Sequence, residues 1–345
     1  MKYYVASDVH GFHKELCLAL EEKGFFADHE PHKLILLGDL FDRGQDAGKT
    51  QDFVLELMER DEVILIRGNH EDLYEDLVTR DNGAGLRHHI KNGTYDTALQ
   101  LTKFDSEKAR ICPQNFVESA RQTPLYQRII PAMQDFYETE NYIFVHGWIP
   151  CNYKGGEYTY CPDWRNASET EWKKARWYNG IDASETAQAK KTVVCGHWNA
   201  SYGHAFFENK GSEFGRDAIF TPYFGAGVIA IDACTVCSGF VNVLVIEDEP
   251  EVENKGLSID RTTGRAHTVR TAWRCATMNG LNVKYWEGRF PPMAYYQKPS
   301  PYACTPECNI NLYELAKYAE RTGKKIVDMP CNEVHMFAVP GENRC

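Results

Sequence analysis

The sequence lacks the long apolar run of a membrane helix and the basic excess typical of nucleic-acid-binding proteins. No stretch of the 345 residues approaches the roughly 20 apolar residues that span a bilayer. The segment 1–8 reaches a charged residue too early to hold the apolar region of a signal peptide. Lys and Arg number 38 against 49 Asp and Glu, which gives a net charge of −11. We therefore expect a cytoplasmic protein with no membrane and no nucleic-acid polymer as partner.

The 12 cysteines are too few for a disulfide framework in a chain that can bury a large core without them, so we expect reduced thiols. Two groups could still bind zinc. Cys234 and Cys237 are spaced like a ligand pair, but we interpret them as a tight turn between buried strands. Cys304, Cys308 and Cys331 could form a small structural zinc site, although their spacing fits no standard finger.

Complete nucleotide-binding loops are also missing. Residues 44–50 end in Gly-Lys-Thr after a predicted strand, but three residues separate the two glycines where a P-loop has four. Residues 225–227 read Gly-Ala-Gly, and an apolar strand follows where a dinucleotide-binding fingerprint needs a helix. The sequence therefore predicts neither a P-loop protein nor a dinucleotide-binding domain.

The first 80 residues alternate predicted strands and helices. Apolar runs predict strands at 2–7, 33–37 and 63–66, and helical periodicity predicts helices at 12–23 and about 50–60. This spacing indicates parallel β-α-β units. Functional residues in such sheets gather beyond the carboxyl ends of the strands.

The rest of the chain predicts an insertion, a second sheet and an appendage. The polar, helical segment at about 81–140 is expected to cap the sheet. Later apolar runs predict a second sheet, partly a meander, packed on the first; they lie at 142–145, 192–195, 228–231 and 240–246. We place a boundary near 250, with a catalytic domain at 1–250 and an appendage at 251–345. The appendage has one predicted helix, at about 311–322.

Five short clusters of oxygen and imidazole groups follow five predicted strands. They are Asp8-Val9-His10 and the segments 38–44, 67–71, 146–147 and 196–197. Each is a weak indication alone, but they recur at one edge of the sheet. Three Asp or Asn and three His side chains there would be costly to bury unless a metal or mutual pairing compensated them. The mixed donor set suits Mn, Fe or Zn better than Ca or Mg.

The motif series resembles that of the calcineurin-like metallophosphoesterases. Within them it is similar to the serine/threonine phosphoprotein phosphatase branch and its bacterial relatives, which include diadenosine tetraphosphatases. The motifs read SDVHG at 7–11, GDLFDRG at 38–44, IRGNHE at 66–71, HGW at 146–148 and GHW at 196–198. The resemblance covers about residues 1–247. It implies an α/β fold in which two packed mixed β-sheets are flanked by helices, a four-layer α-β-β-α sandwich, followed here by the small appendage.

The resemblance also implies a centre with two divalent metal ions, Mn first and Fe or Zn as alternatives. Asp8 and His10 would hold one ion and Asp39 would bridge both. The second ion would be held by Asn69, His146 and His197. Spacing independently lets Asp8 and His10 converge, because residues i and i+2 of an extended segment face the same way. A hydroxide bridging the metals would attack phosphorus in line.

The remaining site residues are implied in the same way. His70 would protonate the leaving oxygen, and Asp42 would orient His70 and favour its protonated form. Arg43 and Arg67 would bind the phosphate oxygens. Arg176 is a further phosphate-binding candidate, or else a surface arginine on a helix.

The implied activity is hydrolysis of phosphomonoesters, first of all phosphoserine or phosphothreonine in proteins. The alternatives are a bis(5'-nucleosyl)-tetraphosphatase and a phosphatase of small metabolites. Because every matched ligand position is filled, a catalytically dead scaffold is disfavoured. Asn199 stands where many metallophosphoesterases have another His, and the phosphoprotein phosphatase branch likewise lacks that histidine. Trp148 and Trp198 replace smaller residues and either shape a substrate pocket or pack.

Overall fold

The structure is a computed structural model that describes residues 1–79, 86–154, 157–248 and 312–324, together with 329–330, 333–334 and 336–337. Most of the predicted appendage, including Cys304, Cys308 and Cys331, lies outside the described residues, and the boundary near 250 stays a prediction.

Eleven strands lie within the described residues. They are β1 Lys2–Ala6, β2 His32–Leu36, β3 Val63–Leu65, β4 Tyr137–Glu138, β5 Tyr142–Phe144, β6 Cys151–Lys154, β7 Glu157–Tyr160, β8 Thr192–Asn199, β9 Tyr223–Gly225, β10 Val228–Asp232 and β11 Val243–Glu247.

Thirteen α-helices also lie within the described residues. They are α1 His13–Glu22, α2 Ala47–Glu59, α3 Asn69–Thr79, α4 Leu86–Asn92, α5 Thr94–Thr102, α6 Ser106–Ile111, α7 Pro113–Arg121, α8 Ile130–Ala132, α9 Glu169–Ala175, α10 Gly180–Thr186, α11 Ala200–Phe206, α12 Thr235–Ser238 and α13 Leu312–Thr322. None of them combines the length and apolar composition needed to cross a bilayer.

The first sheet has the strand order β11-β1-β2-β3. Strands β1, β2 and β3 run parallel, as the β-α-β spacing predicts, and β11 adds antiparallel to β1. Side chains alternate between its two faces: Tyr4 and Leu34 pack under helices α1 and α2, whereas Val5 and Ile35 face the second sheet. The apolar runs are continuous because both faces of these strands are buried.

The second sheet has the order β4-β5-β8-β10-β9. The predicted meander is wrong in two respects. Strands β5, β8 and β10 are parallel, so helices rather than tight turns connect them, and β11 returns to the first sheet to pair with β1. An apolar run shows that a strand is buried but not which neighbour it pairs with.

The two sheets pack face to face between two helical layers, so the predicted four-layer architecture is confirmed. Phe144 and Val194 of the second sheet meet the inner face of the first, while Ile143 and Val193 pack under α9 and α10. Helices α4 to α8 occupy most of the segment predicted as a helical insertion, and Ala98 and Phe116 from it join the outer core of the first sheet. Strands β1, β2, β3, β5 and β8 bring the five predicted clusters to one edge.

Candidate metal centre

The six predicted ligands and His70 meet in one buried cluster at this edge. Their exposed fractions lie between 0% and 3%. Two sets of ligand atoms are close enough to hold an ion, with all atoms of a set within 4.8 Å of one another. One set is His10, Asp39 and His70, and the other is Asp39, His146 and His197. Elements far apart in the chain are thus gathered as the sequence predicted.

Asp39 lies at the centre of the cluster and belongs to both sets. Its Oδ2 lies 3.8 Å from His10 Nε2 and 3.7 Å from His70 Nε2. Its Oδ1 lies 3.3 Å from His146 Nε2. One carboxylate therefore presents an oxygen to each side, which is the arrangement that a bridging ligand requires.

Asp8 borders the set that contains His10. Its Oδ1 lies 3.9 Å from His10 Nε2, and its Oδ2 accepts a hydrogen bond from the backbone N–H of His197 at 2.9 Å. Asp8 thus connects the end of β1 to the end of β8 and keeps one oxygen facing the cluster.

His146 is oriented by the backbone of the first sheet. Its Nδ1 lies 2.6 Å from the carbonyl oxygen of Leu37, which can only accept, so Nδ1 carries a proton. Its Nε2 therefore faces inward, 2.8 Å from Asn69 Oδ1. A carbonyl that fixes the outer nitrogen of a histidine is the usual support of a metal-ligating imidazole.

The backbone is strained at several of these positions. Asp8, His10, Asp39 and His197 have φ values of +51°, +50°, +54° and +64°. Non-glycine residues rarely adopt this left-handed region, and such conformations persist where surrounding structure holds them, often at functional sites. The chain turns sharply at the ends of β1 and β2, so Asp8 and His10 converge through left-handed turns, and the extended segment expected from their i, i+2 spacing is wrong.

Glycines allow the loops to close around the cluster. A Cβ on Gly68 would lie 2.3 Å from Asp39 Oδ1, and one on Gly196 would lie 2.2 Å from Asp8 Oδ2. Both contacts are impossible for a larger residue, which explains the glycine in the 66–71 and 196–198 motifs.

Electrostatics favour neutral imidazoles at His10 and His197 beside an ionised Asp39 carboxylate. Burial lowers the pKa of His10 well below its ordinary range, and Arg43 adds to this; burial, followed by His146, does the same for His197. Burial alone would raise the pKa of Asp39, but His146 and His70 hold it well below its ordinary range. Neutral imidazole and ionised carboxylate are the forms that bind metals.

Other groups of the cluster show an excess of buried negative charge. Burial and Asp232 raise the pKa of Asp8 well above its ordinary range, and burial raises the pKa of Asp232 to about 6. Despite an opposing effect of burial, Asp39 raises the pKa of His146 to about 10. Buried carboxylates of this kind call for compensating positive charge.

Buried ligand atoms that lack a hydrogen-bond partner indicate whether these residues fit a metal. Asp39 Oδ2 and His10 Nδ1 are buried and have no hydrogen-bond partner among the described residues. The donors are carboxylate oxygens, an amide oxygen and imidazole nitrogens, a set that suits Mn, Fe or Zn. The residues therefore fit a pair of divalent cations that share Asp39.

His70 and Asp42 form a second buried pair against the cluster. His70 Nδ1 lies 2.6 Å from Asp42 Oδ2, and Arg43 lies 2.9 Å from His70 Nε2 through Nη2 and 2.9 Å from His10 Nε2 through Nη1. Because Asp42 occupies Nδ1, Nε2 is the nitrogen of His70 that faces the centre. The structure thus places His70, Asp42 and Arg43 together, as expected from their motifs.

Arg67 and Arg176 are held in an ion-pair network centred on Asp72. Arg67 Nε lies 2.7 Å from Asp72 Oδ1, and Arg176 Nη1 lies 2.7 Å from Asp72 Oδ2. Arg67 also pairs with Glu75, and Arg176 with Asp135. Arg176 is only 4% exposed, so the alternative of a surface arginine is wrong.

The two tryptophans differ in environment. Trp148 is fully buried and donates from Nε1 to the carbonyl oxygen of Ala187 at 3.3 Å, so it packs in the core. Trp198 is half-buried with its ring centroid 6.1 Å from that of His197, beside the cluster. The Cys234–Cys237 segment is a short helical turn between β10 and β11, as expected, and Thr235 donates from Oγ1 to the Asp8 carbonyl oxygen at 2.9 Å.

Sequence reasoning assigned no role to Glu71, Thr94 or Thr97. Glu71 accepts backbone hydrogen bonds from both loops around Asp39, and its position at the end of the 66–71 motif could have indicated this. Thr94 and Thr97 contact Asp42 from a helix some 50 residues away, and no local pattern marks them.

Known proteins resemble the chain in part. It is 27% identical over 133 residues to the asymmetrical bis(5'-nucleosyl)-tetraphosphatase PrpE of Bacillus subtilis, covering 36% of this chain and 52% of that protein. It is 26% identical over 157 residues to the PrpE of Oceanobacillus iheyensis, covering 44% and 57%. The chain thus spans about half the length of these curated relatives.

A solved structure and a family profile add to these similarities. The structure of a protein serine/threonine phosphatase from Saccharomyces cerevisiae aligns with 14% identity and a TM-score of 0.41, covering 73% of this chain and 82% of that one. The profile of calcineurin-like phosphoesterases matches residues 1–230, well over half of the chain and the whole of the edge described above. The chain belongs to the calcineurin-like phosphoesterase family.

Proposed function

We propose that the chain is a metal-dependent phosphatase that hydrolyses phosphoric monoesters, first of all phosphoserine or phosphothreonine side chains of proteins. The observation that carries the proposal is the position of Asp39, whose two oxygens face two separate groups of buried ligands. Asp8 and His10 would hold one cation on one side of Asp39. Asn69, His146 and His197 would hold the other.

The bound cations, for which Mn is our first expectation, supply positive charge to the phosphoryl oxygens and lower the pKa of a water molecule toward neutrality. The chain contributes orientation and charge. Arg43 lies within hydrogen-bond distance of both His10 and His70, so its guanidinium group is placed to donate to phosphate oxygens beside the cations. Arg67 and Arg176 are proposed to bind phosphate oxygens as well, which requires each to share its guanidinium group with Asp72.

The His70–Asp42 pair supports an alkyl ester as substrate. A serine or threonine alkoxide is a poor leaving group, and its departure is assisted by a proton from a positioned acid. His70 directs Nε2 toward the centre while Asp42 holds Nδ1 at 2.6 Å, so the ring is oriented through the nitrogen that does not face the substrate. Arg43 can only donate, so Nε2 accepts from it in this structure, and we assign to Nε2 the proton that His70 gives to the leaving oxygen once the guanidinium group turns to the phosphate.

A second candidate is asymmetric hydrolysis of bis(5'-nucleosyl) tetraphosphates. The names of the curated relatives favour it, although the match covers only 36% of this chain. The leaving group of that reaction is a nucleotide phosphate, which departs as a stable anion. It therefore depends less on an acid than a phosphoserine does.

The test measures hydrolysis by the full chain after treatment with a chelator and addition of Mn, Mg, Zn or Fe(II). A phosphothreonine peptide and diadenosine tetraphosphate are compared at equal concentration. We expect no hydrolysis without metal, the highest rate with Mn, and preference for the phosphopeptide. Strong preference for the dinucleotide would favour the second candidate, and hydrolysis that persists after complete chelation would contradict the proposal.

A further inference from the structure

The Asp42 carboxylate is held by three groups, and two of them belong to helix α5. Its Oδ2 lies 2.6 Å from His70 Nδ1 and accepts a hydrogen bond from Thr94 Oγ1 at 2.6 Å. Its Oδ1 accepts a hydrogen bond from Thr97 Oγ1 at 2.7 Å. Both threonines are completely buried, so no water competes for their hydroxyl groups.

The distances indicate that each threonine donates its hydroxyl proton to Asp42. A hydroxyl group has one proton to donate. Thr97 Oγ1 also lies 3.2 Å from the carbonyl oxygens of Phe41 and Gly93, but the carboxylate oxygen is half an ångström closer and is charged. Hydrogen bonds to ionised acceptors are shorter and stronger than those to neutral ones.

The helix is built to reach this carboxylate. Thr94 is its first residue and Thr97 lies three residues later, so both side chains fall on one face. The N-terminal end of a helix carries partial positive charge, which stabilises a nearby anion. The anion in this case is the Asp42 side chain itself.

The start of α5 also lies against the backbone of the 38–44 motif. Gly93 has φ of +85°, and a Cβ there would lie 2.5 Å from Arg43 N. Gln100 donates to the carbonyl oxygen of Gly44 at 3.0 Å and accepts from the N–H of Ala47 at 3.1 Å. Helix α5 is therefore attached along the whole loop that carries Asp42 and Arg43.

We propose that Thr94 and Thr97 are positioning residues for the reaction, which fix the Asp42 carboxylate so that it directs His70 Nε2 at the leaving oxygen. This inference rests on the proposed function. It adds helix α5 to the elements that support His70 as the acid. Without the two hydroxyl groups the Asp42 carboxylate keeps a single partner and can rotate away from Nδ1. Only the protonation of the leaving group would then be impaired.

The experiment uses Thr94→Val, Thr97→Val and the double variant in the full chain with Mn. Valine keeps the shape of threonine and removes the hydroxyl group. Hydrolysis of a phosphothreonine peptide is compared with that of 2,4-dinitrophenyl phosphate, whose leaving group needs no proton. We expect kcat of the double variant to fall roughly 10- to 100-fold on the peptide, a part of the usual share of a general acid, and less than about threefold on the aryl ester. KM and bound Mn should stay unchanged.

Controls separate positioning from a general loss of structure. Thr97→Ser restores the hydroxyl group and should recover most of the peptide activity. Thr102→Val, at the other end of α5, removes a hydrogen bond to the Ala98 carbonyl oxygen and a longer one from the Phe104 N–H, and should leave both rates unchanged. In a His70→Asn background, Thr97→Val should have no additional effect, because residues acting through one group are not additive.

Three outcomes would overturn the inference. They are an equal loss on both substrates, a full additional loss in the His70→Asn background, and failure of Thr97→Ser to restore activity in a folded protein. If the unsubstituted chain with Mn hydrolyses neither substrate, the proposed function is itself overturned, and the inference with it.

Discussion

Glu71 accepts a hydrogen bond from the backbone N–H of Asp39 at 2.9 Å, and so holds the loop that carries the shared carboxylate. The same oxygen, Oε2, accepts the N–H of Gly68 at 2.9 Å, and Oε1 accepts the N–H of Leu40 at 2.9 Å. Glu71 is only 2% exposed. One buried side chain thus ties the loop after β2 to the first turn of α3.

Replacing Glu71 by Gln should separate these two loops. An amide offers one acceptor oxygen, and its NH₂ group would face an N–H donor, so at least one buried N–H loses its partner. We expect the free energy of unfolding to fall by about 1–3 kcal/mol and Mn affinity to fall roughly 10- to 100-fold, as for other residues that support ligands. Urea unfolding with chelator and Mn titration measure the two effects. The exposed Glu107→Gln is the control, and a Glu71→Gln variant that matches it in both measurements would contradict this role.

Much of the fold could be predicted because burial leaves a local record. Continuous apolar runs at 2–7 and 33–37 indicated strands buried on both faces, and β1 and β2 lie there. The pairing of β11 with β1 could not be predicted, because it joins segments about 240 residues apart and leaves no local pattern. The hairpin of β6 and β7 was missed because its strands are short and half exposed.

The candidate site shows the same division. Asp39 and His146 could be predicted since each follows an apolar strand within a recognisable motif. Thr94 and Thr97 could not, because buried threonines in a helix are ordinary and their role depends on a carboxylate some 50 residues earlier. The sequence also indicated Arg67 and Arg176 individually, but not Asp72, whose two oxygens hold both guanidinium groups.

Replacing Asp39 by Asn should abolish metal binding and activity together. The amide retains one neutral oxygen, so the bridging charge between the two ligand groups is lost. Bound Mn, measured by elemental analysis after gel filtration, should fall from two ions toward none. Asp61→Asn is a matched control, because Asp61 has the same φ of +54° but an exposed side chain. A variant at position 39 that retains two ions would contradict the assignment.

Replacing His70 by Asn should leave metal binding intact and slow turnover of alkyl esters. Asn cannot supply the proton, so we expect a fall of roughly 10²- to 10⁴-fold in kcat on a phosphothreonine peptide. The loss on 2,4-dinitrophenyl phosphate should be much smaller, and bound Mn should remain. His29→Asn, an exposed histidine, is the control. Undiminished turnover of the peptide would show that His70 is not the acid.

Replacing Trp148 by Ala should destabilise the fold. Trp148 is 1% exposed in the core of the second sheet. Truncation therefore leaves a large cavity and removes the hydrogen bond that Nε1 donates to the Ala187 carbonyl oxygen. We expect a loss of about 3–5 kcal/mol in the free energy of unfolding. The half-buried Trp198→Ala should lose less. Urea unfolding in chelator measures both, and equal losses would contradict the difference in packing.

Glu213 should make stability depend on pH. It is 9% exposed, its Oε2 has no hydrogen-bond partner among the described residues, and burial followed by Asp182 raises its pKa to about 8. In the unfolded chain the pKa returns to its ordinary value near 4.5. Between these values the folded chain retains a proton that the unfolded chain releases, so this residue lowers the free energy of unfolding as pH rises from about 5 to 8.

Replacing Glu213 by Gln removes this titration and keeps the side chain neutral at every pH. We expect the variant to gain roughly 4–5 kcal/mol over the unsubstituted chain at pH 8.5 and little at pH 4.5, since the pKa of Glu213 lies at about 8 instead of 4.5 and each pKa unit corresponds to about 1.4 kcal/mol. Urea unfolding at both pH values in the presence of a chelator gives the difference, with the exposed Glu107→Gln as the control. A gain of the same size at both pH values would show that the side chain acts by packing and not by its charge.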